Sequence, residues 1–350
     1  MNATNGVHTA NWLADRAIEI GAKEIYLTFI GGEPLLHPRR LEQIIHDVRS
    51  RVAERDIKVR FFLITNGYYL TPELVDKWVP LGLVGAQVTM DGDETTHDIT
   101  RTSKKKGEET YPRIFANVVA ASPKIRIVVN GNYQENTIHG FAPLLKKLKD
   151  AGLRQGESVH FTPALAALGA ESESGYGSCH WSGSQPELMI ALSDEVRRQG
   201  FNPGDIGSIG PCSFHYKNDF AVDPEGNIYK CPGFLGKTEW NIGHVATGLS
   251  TRYDGLVNIN PQRLCGSCSH RPECAGGCVA AAWTASGRTE GVDCEIGFYE
   301  QHGEAIVKRR YALAVSESPE AALALFPPSA RLPERPQTRG RSSALRVIAA

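Results

Sequence analysis

Seven of the eight cysteines fall between Cys212 and Cys294, at the spacing of a metal-ligand cage. Cys212 is followed by thirteen residues, Gly226, four residues and Cys231. Then come Cys265-x2-Cys268-x5-Cys274-x3-Cys278, and Cys294 stands apart. Cysteines two or three residues apart reach one metal centre from a single turn, and Pro272, Gly276 and Gly277 let the backbone bend between them. Thiolates bunched this way in a chain without secretory features act as metal ligands rather than as disulfides. Seven are too many for one tetrahedral site or one cubane, and one short of two cubanes. The spacing predicts iron–sulfur clusters and leaves one or two structural zincs as the alternative.

A second set of polar residues lies in the first half. Ile30-Gly31-Gly32-Glu33-Pro34-Leu35-Leu36 follows an apolar run and precedes a helical pattern. Its glycines let backbone approach a ligand and its proline stiffens the turn, although the segment also reads as a simple turn. Thr65-Asn66-Gly67 ends the run FFLIT, and Asp91-Gly92 leads into His97-Asp98-x-x-Arg101. The latter reads equally as a local cap and ion pair. Val128–Asn136 ends in polar residues that suit loop caps. Cys179, in SGYGSCHWSG, reads as a free loop thiol, with an extra metal ligand as the alternative. His215 and His270, close to cysteines, read as solvated or supporting imidazoles. Lys104–Lys106 reads as solvated surface, and Trp283 as packing around the cysteines.

These residues need a scaffold. Short Val-, Ile- and Phe-rich runs predict strands at Glu24–Phe29, Val59–Ile64, Gly85–Met90, Ile125–Asn130 and Val159–Thr162. Helical spacing predicts helices at Ala10–Ile20, Leu41–Val52, Pro72–Val79, Tyr111–Ala121, Phe141–Ala151 and Pro186–Gln199. The alternation implies a parallel sheet, open or barrel-like, whose strand C-termini share one ligand-binding edge. Around Gly204 glycine, proline and cysteine rise and periodicity fades, as in a small metal-stapled domain. The predicted division is 1–205, 206–300, and 301–350 as a short helix with a Pro-, Ala- and Arg-rich disordered tail. The tail arginines Arg331, Arg335, Arg339 and Arg341 are expected to be solvated. The 350 residues carry a net charge of −1, which gives no support to a nucleic-acid or membrane partner. No apolar run approaches the roughly 20 residues of a bilayer crossing, and no apolar signal core opens the chain. A reducing, cytoplasmic setting is expected.

The cysteine pattern with Gly226 resembles the SPASM domain of radical S-adenosylmethionine enzymes. The resemblance covers about residues 10–300. It implies a partial (β/α)6 TIM-like barrel followed by a loop-rich domain with two auxiliary 4Fe-4S clusters. Cys265, Cys268, Cys274 and Cys294 would hold the second cluster, and Cys212, Cys231 and Cys278 the first. Gly31, Gly32, Glu33 and Pro34 would bind the amino group of S-adenosyl-L-methionine and Arg101 its carboxylate. Thr65, Asn66 and Asn130 would lie near the cofactor. Such proteins modify a peptide or protein through a 5′-deoxyadenosyl radical, with a one-electron donor such as a flavodoxin or ferredoxin. Sulfatase-maturing members place an Asp after the cysteine matching Cys231 and an extra cysteine shortly after that matching Cys212. Here Pro232 follows Cys231, and Ser213–Phe220 contains no cysteine, which argues against that branch.

One departure limits the resemblance. The CxxxCxxC that holds the radical-generating cluster is missing, since the first cysteine is Cys179. The first barrel strand is expected to be missing with it, leaving a sheet edge unpaired. The expectation is a truncated sequence whose 350 residues do not cleave S-adenosylmethionine. The alternative is a non-enzymatic iron–sulfur binding or electron-transfer module derived from that family.

Overall fold

Asn2 opens helix α1 (Ala3–Glu19) by accepting from Asn5 N at 2.8 Å, and the helix buries Thr9, Ala10, Leu13, Ala14 and Ala17 along one stripe. Helix α2 (Pro38–Arg51) starts on a proline and buries Leu41, Ile44, Ile45 and Val48. Between them runs strand β1 (Glu24–Phe29), with alternate residues buried. The pattern then repeats through β2 (Lys58–Thr65), α3 (Pro72–Trp78), β3 (Leu83–Thr89), α4 (Glu94–Thr100), α5 (Tyr111–Ala121), β4 (Arg126–Tyr133), α6 (Phe141–Asp150), β5 (Ser158–Pro163) and α7 (Pro186–Arg198). This computed structural model describes residues 1–101, 109–133, 138–153, 158–163, 186–203, 212–257, 265–274, 276–288, 291–317 and 344–349. All five predicted strands are present, each within three residues of the expected ends. Helix α4 was not expected: its sequence ETTHDIT carries a single aliphatic residue and so no apolar stripe, and Asp93 starts it by accepting from Thr96 N.

The second half is built of short pieces: β6 (Asp219–Val222), β7 (Asn227–Tyr229), β8 (Gly243–His244), β9 (Gly248–Leu249), α8 (Arg252–Val257), α9 (Arg271–Cys274) and α10 (Val279–Ser286). Helix α11 (Ile296–Glu317) follows, and Arg309 on it makes a two-point ion pair with Asp194 of α7 at 3.0 and 2.8 Å. Strand β10 (Ala344–Ala349) ends the described chain.

The strands form one mixed sheet ordered β5-β4-β3-β2-β1-β10-β6-β7-β8-β9. Pairing is parallel from β5 through β6 and antiparallel beyond. The architecture is α/β with a central parallel sheet. Two expectations are corrected here. The edge of β1 is not open, and residues 344–349 of the tail are not disordered. Strand β10 pairs with β1 along its whole length, Glu24 opposite Ala344 through Phe29 opposite Ala349, and with β6 on its other side. Its sequence ALRVIA alternates, burying Leu345, Val347 and Ala349. The alternation spans only six residues behind a Pro- and Arg-rich run, so composition hid it.

Candidate functional site

Because β1 to β4 are parallel, their C-terminal ends bring Gly31–Pro34, Thr65–Asn66, Asp91–Gly92 and Asn130–Asn132 to one edge. Glu33 ties the first two together. Its carboxylate accepts from Leu35 N at 2.9 Å, Thr65 Oγ1 at 2.7 Å and Asn66 N at 2.7 Å. Those bonds use three of a carboxylate's roughly four acceptor sites. Gly32 is exposed, and a Cβ there would meet nothing within 4 Å, so the loop faces open space. Gly67 has φ of +80°, and a Cβ there would lie 2.5 Å from Val88, which fixes glycine at the turn after Asn66. Asn117 of α5 holds that turn by donating to the Gly67 and Tyr68 carbonyls at 2.9 and 3.1 Å.

The His97-Asp98-Arg101 group is both a cap cluster and part of this edge. Asp98 accepts from Thr110 N, Thr110 Oγ1 and Tyr111 N, and so anchors the start of α5. His97, fully buried, accepts through Nδ1 from Asp91 N at 3.2 Å. Burial and, after it, the Arg101 charge push the His97 pKa below its ordinary value. Arg101 donates from Nε to Asp91 Oδ2 at 2.6 Å. Asp91 Oδ1 accepts from Asn132 N at 2.8 Å and Asn132 Nδ2 at 3.1 Å. Asn130 accepts from Met90 N through its carbonyl, and its side chain faces Asn132 Oδ1 at 3.5 Å. The structure thus brings Glu33, Thr65 and Asn66 into one bonded group and Arg101 into a second with Asn132. Spacing could not have singled out Asn117 and Asn132, because their partners are remote in sequence.

The cysteines form two groups. Cys212, Cys231 and Cys278 each cap a short element: Ser213–His215, Pro232–Phe234 and α10. Each element carries an aromatic ring, and the three rings meet on Trp240. Phe234 stacks on it at 3.8 Å, while Phe214 and Trp283 meet it edge-on at 6.0 and 5.9 Å. A Cβ at Gly233 would lie 3.1 Å from Ala280 Cβ and 3.6 Å from Cys231 Sγ, so that thiol sits against the first turn of α10. Buried Lys230 donates to the Tyr216 and Asp219 carbonyls, joining the strand before Cys231 to the chain after Cys212. Burial pushes its pKa down to about 8.

The other group is Cys265, Cys268, Cys274 and Cys294. Burial, then the neighbouring Cys268 and Cys294 thiolates, push the Cys265 pKa up. Burial does the same at Cys274, where Cys265 adds to the rise and the Gly276 and Glu295 N–H groups oppose it. Arg271 opposes the rise at Cys265, so this group of neighbouring sulfurs is only partly compensated by positive charge, an environment that suits a bound cluster. Glu295 beside them is pushed up to about 7 by burial and by Asp293. All seven cysteines are free thiols. Among the described residues no three His, Cys, Asp or Glu side chains are arranged around a single metal ion. The buried Trp240 Nε1 has no acceptor among the described residues. His215 and His270 pack on Phe214 and Tyr299, in keeping with a supporting part. Cys179, Lys104–Lys106 and the tail arginines lie outside the described residues.

No protein-family model matches the chain. It is 25% identical over 298 residues to the mycofactocin maturase MftC of Mycobacterium ulcerans, covering 77% of this chain and 74% of that protein. It is 23% identical over 294 residues to a serine-type anaerobic sulfatase-maturating enzyme of Klebsiella aerogenes, covering 74% and 68%. Among solved structures, native anSMEcpe with bound AdoMet superposes with a TM-score of 0.65 at 15% identity, covering 93% of this chain and 91% of that one. The same protein with AdoMet and the Kp18Cys peptide gives 0.63 at 16% identity. The mixed α/β fold with its central parallel sheet is shared with these structures.

Proposed function

Starting from a chain related to the radical S-adenosylmethionine maturases with SPASM domains, we propose a protein that holds two auxiliary 4Fe-4S clusters beside an S-adenosylmethionine pocket and acts on a peptide or protein. Residues 1–205 supply the pocket on a partial-barrel sheet and 206–300 the clusters. Cys265, Cys268, Cys274 and Cys294 hold one cluster. Cys212, Cys231 and Cys278 hold the other, leaving one iron for substrate or another donor. The observation that carries this reading is the spacing Cys265-x2-Cys268-x5-Cys274-x3-Cys278 with Cys294, within which Cys265 lies near enough to Cys268, Cys274 and Cys294 to interact with them electrostatically.

When bound, S-adenosylmethionine supplies a hydrogen-abstracting radical and the auxiliary clusters supply electron-accepting capacity. The chain's own residues bind and orient. Exposed Gly32 leaves room for the methionyl end, Glu33 locks Thr65 and Asn66 into place, and Arg101 presents a guanidinium suited to a carboxylate. A flavodoxin- or ferredoxin-like protein is the electron donor by the same resemblance.

Nothing in the 350 residues matches CxxxCxxC, so we propose that a polypeptide of this sequence does not itself cleave S-adenosylmethionine. The same observation favours a second reading, an iron–sulfur binding or electron-transfer module without radical chemistry. Anaerobic reconstitution tests both readings. About eight irons per chain are expected, falling by about half in Cys294→Ser, with no 5′-deoxyadenosine on addition of dithionite. Colourless protein containing zinc would end the cluster assignment, and 5′-deoxyadenosine would end the claim of inactivity. Tight S-adenosylmethionine binding separates the first reading from the second.

A further inference from the structure

We propose that Asp91 is a positioning residue that aims Arg101 at the carboxylate of the ligand bound on the strand-end edge. This rests on the S-adenosylmethionine reading given above.

Asp91 is 4% exposed and held by three residues. Its backbone N–H is held by His97 Nδ1 of α4, one carboxylate oxygen by Asn132 of β4, and the other by Arg101. A carboxylate so enclosed has one orientation, and the guanidinium paired with it inherits that orientation.

The geometry of the pair differs from that of two other Arg–Asp pairs in the chain. Arg51 with Asp15 and Arg309 with Asp194 are each two-point, engaging Nε and Nη2 together. Arg101 meets Asp91 through Nε alone among the described residues. An end-on pair directs the two Nη groups away from Asp91, on a side chain that is 31% exposed against 6% for its partner. Two parallel N–H donors on that side match a carboxylate. Asp91 thus supplies the buried counter-charge, and the ligand supplies the exposed one. Arg60 also meets Glu24 through Nε alone, but on the sheet surface, whereas the Asp91 carboxylate is buried at the strand-end edge.

The test compares S-adenosylmethionine with its decarboxylated analogue, which lacks the group Arg101 would take. Equilibrium dialysis on the full chain, reconstituted with iron and sulfide, gives the affinities. Asp91→Asn is expected to weaken S-adenosylmethionine binding about tenfold and to leave the analogue unaffected. The double variant D91N/R101Q should bind no more weakly than R101Q alone, since Asp91 acts through Arg101. Equal losses for both ligands, additive losses in the double variant, or no loss at all would overturn the inference. If Asp91→Asn does not fold, Asp91→Glu keeps the charge, moves the carboxylate outward by one methylene, and should show the same selective loss. No binding by the unaltered chain would instead overturn the cofactor reading on which the inference stands.

Discussion

His97 shows how one buried side chain sets conditions for the whole strand-end edge. Its Nδ1 accepts the Asp91 N–H, which only the neutral ring can do. Burial first, then Arg101, depresses its pKa in the folded protein below the ordinary 6.5. The unfolded chain therefore takes up the proton first as the pH falls. The His97 contribution to stability is complete above about pH 6.5 and declines on acidification below it. The melting temperature should drop from pH 7 to 5.5, and less steeply in His97→Asn, whose amide oxygen still accepts but does not titrate. Thermal melts across that range check this, and an identical slope in the two proteins refutes it. The same N–H links Asp91 to α4, so acid should also loosen Arg101.

Two features hold the second half of the molecule in place. Strand β10 separates β1 from β6 and pairs with both, so the parallel strands and the β6–β9 ribbon share a sheet only through it. Leu345 is completely buried on that strand. Leu345→Ala should cost about 2–5 kcal/mol in urea or guanidinium unfolding. Removing residues 344–350 should expose two strand edges at once and give aggregation, visible by light scattering. A monomeric deletion variant of unchanged stability would mean that β10 is dispensable. The second, internal to that half, is the ring cluster on Trp240, which holds the elements capped by Cys212, Cys231 and Cys278. Trp240→Ala should cost about 3–5 kcal/mol and lower the iron bound per chain by about half, with the Cys265 group still loaded. Full iron retention would detach these rings from metal binding.

For the molecule as a whole, the two halves should differ in their dependence on metal. One continuous apolar core backs β1 to β5 and extends to β6, β7 and the rings around Trp240, whereas Cys265, Cys268, Cys274 and Cys294 lie outside it, on turns and the four-residue helix α9. Stripping iron should abolish hydrogen-exchange protection in residues 265–274 and spare β1 to β4. Uniform loss across both halves would contradict that division. Among the described residues no helix is long and apolar enough to cross a membrane. Amino-acid order alone carries the cysteine spacing on which the proposed metal class rests, because ligand spacing within a turn is a local property. It carried five strands and most helices for the same reason, since burial periodicity is written every two or three to four residues. It did not carry the pairing of β10 with β1, whose partners lie at opposite ends of the chain. Nor did it reveal Asn132 on Asp91, or Trp240 beneath three cysteines. Those contacts depend on which distant surfaces meet when the sheet forms, a through-space competition that no local spacing encodes. Cysteine spacing therefore supplies the basis for the proposed cofactor class, while folding alone set Asn132 against Asp91 and closed the sheet with β10.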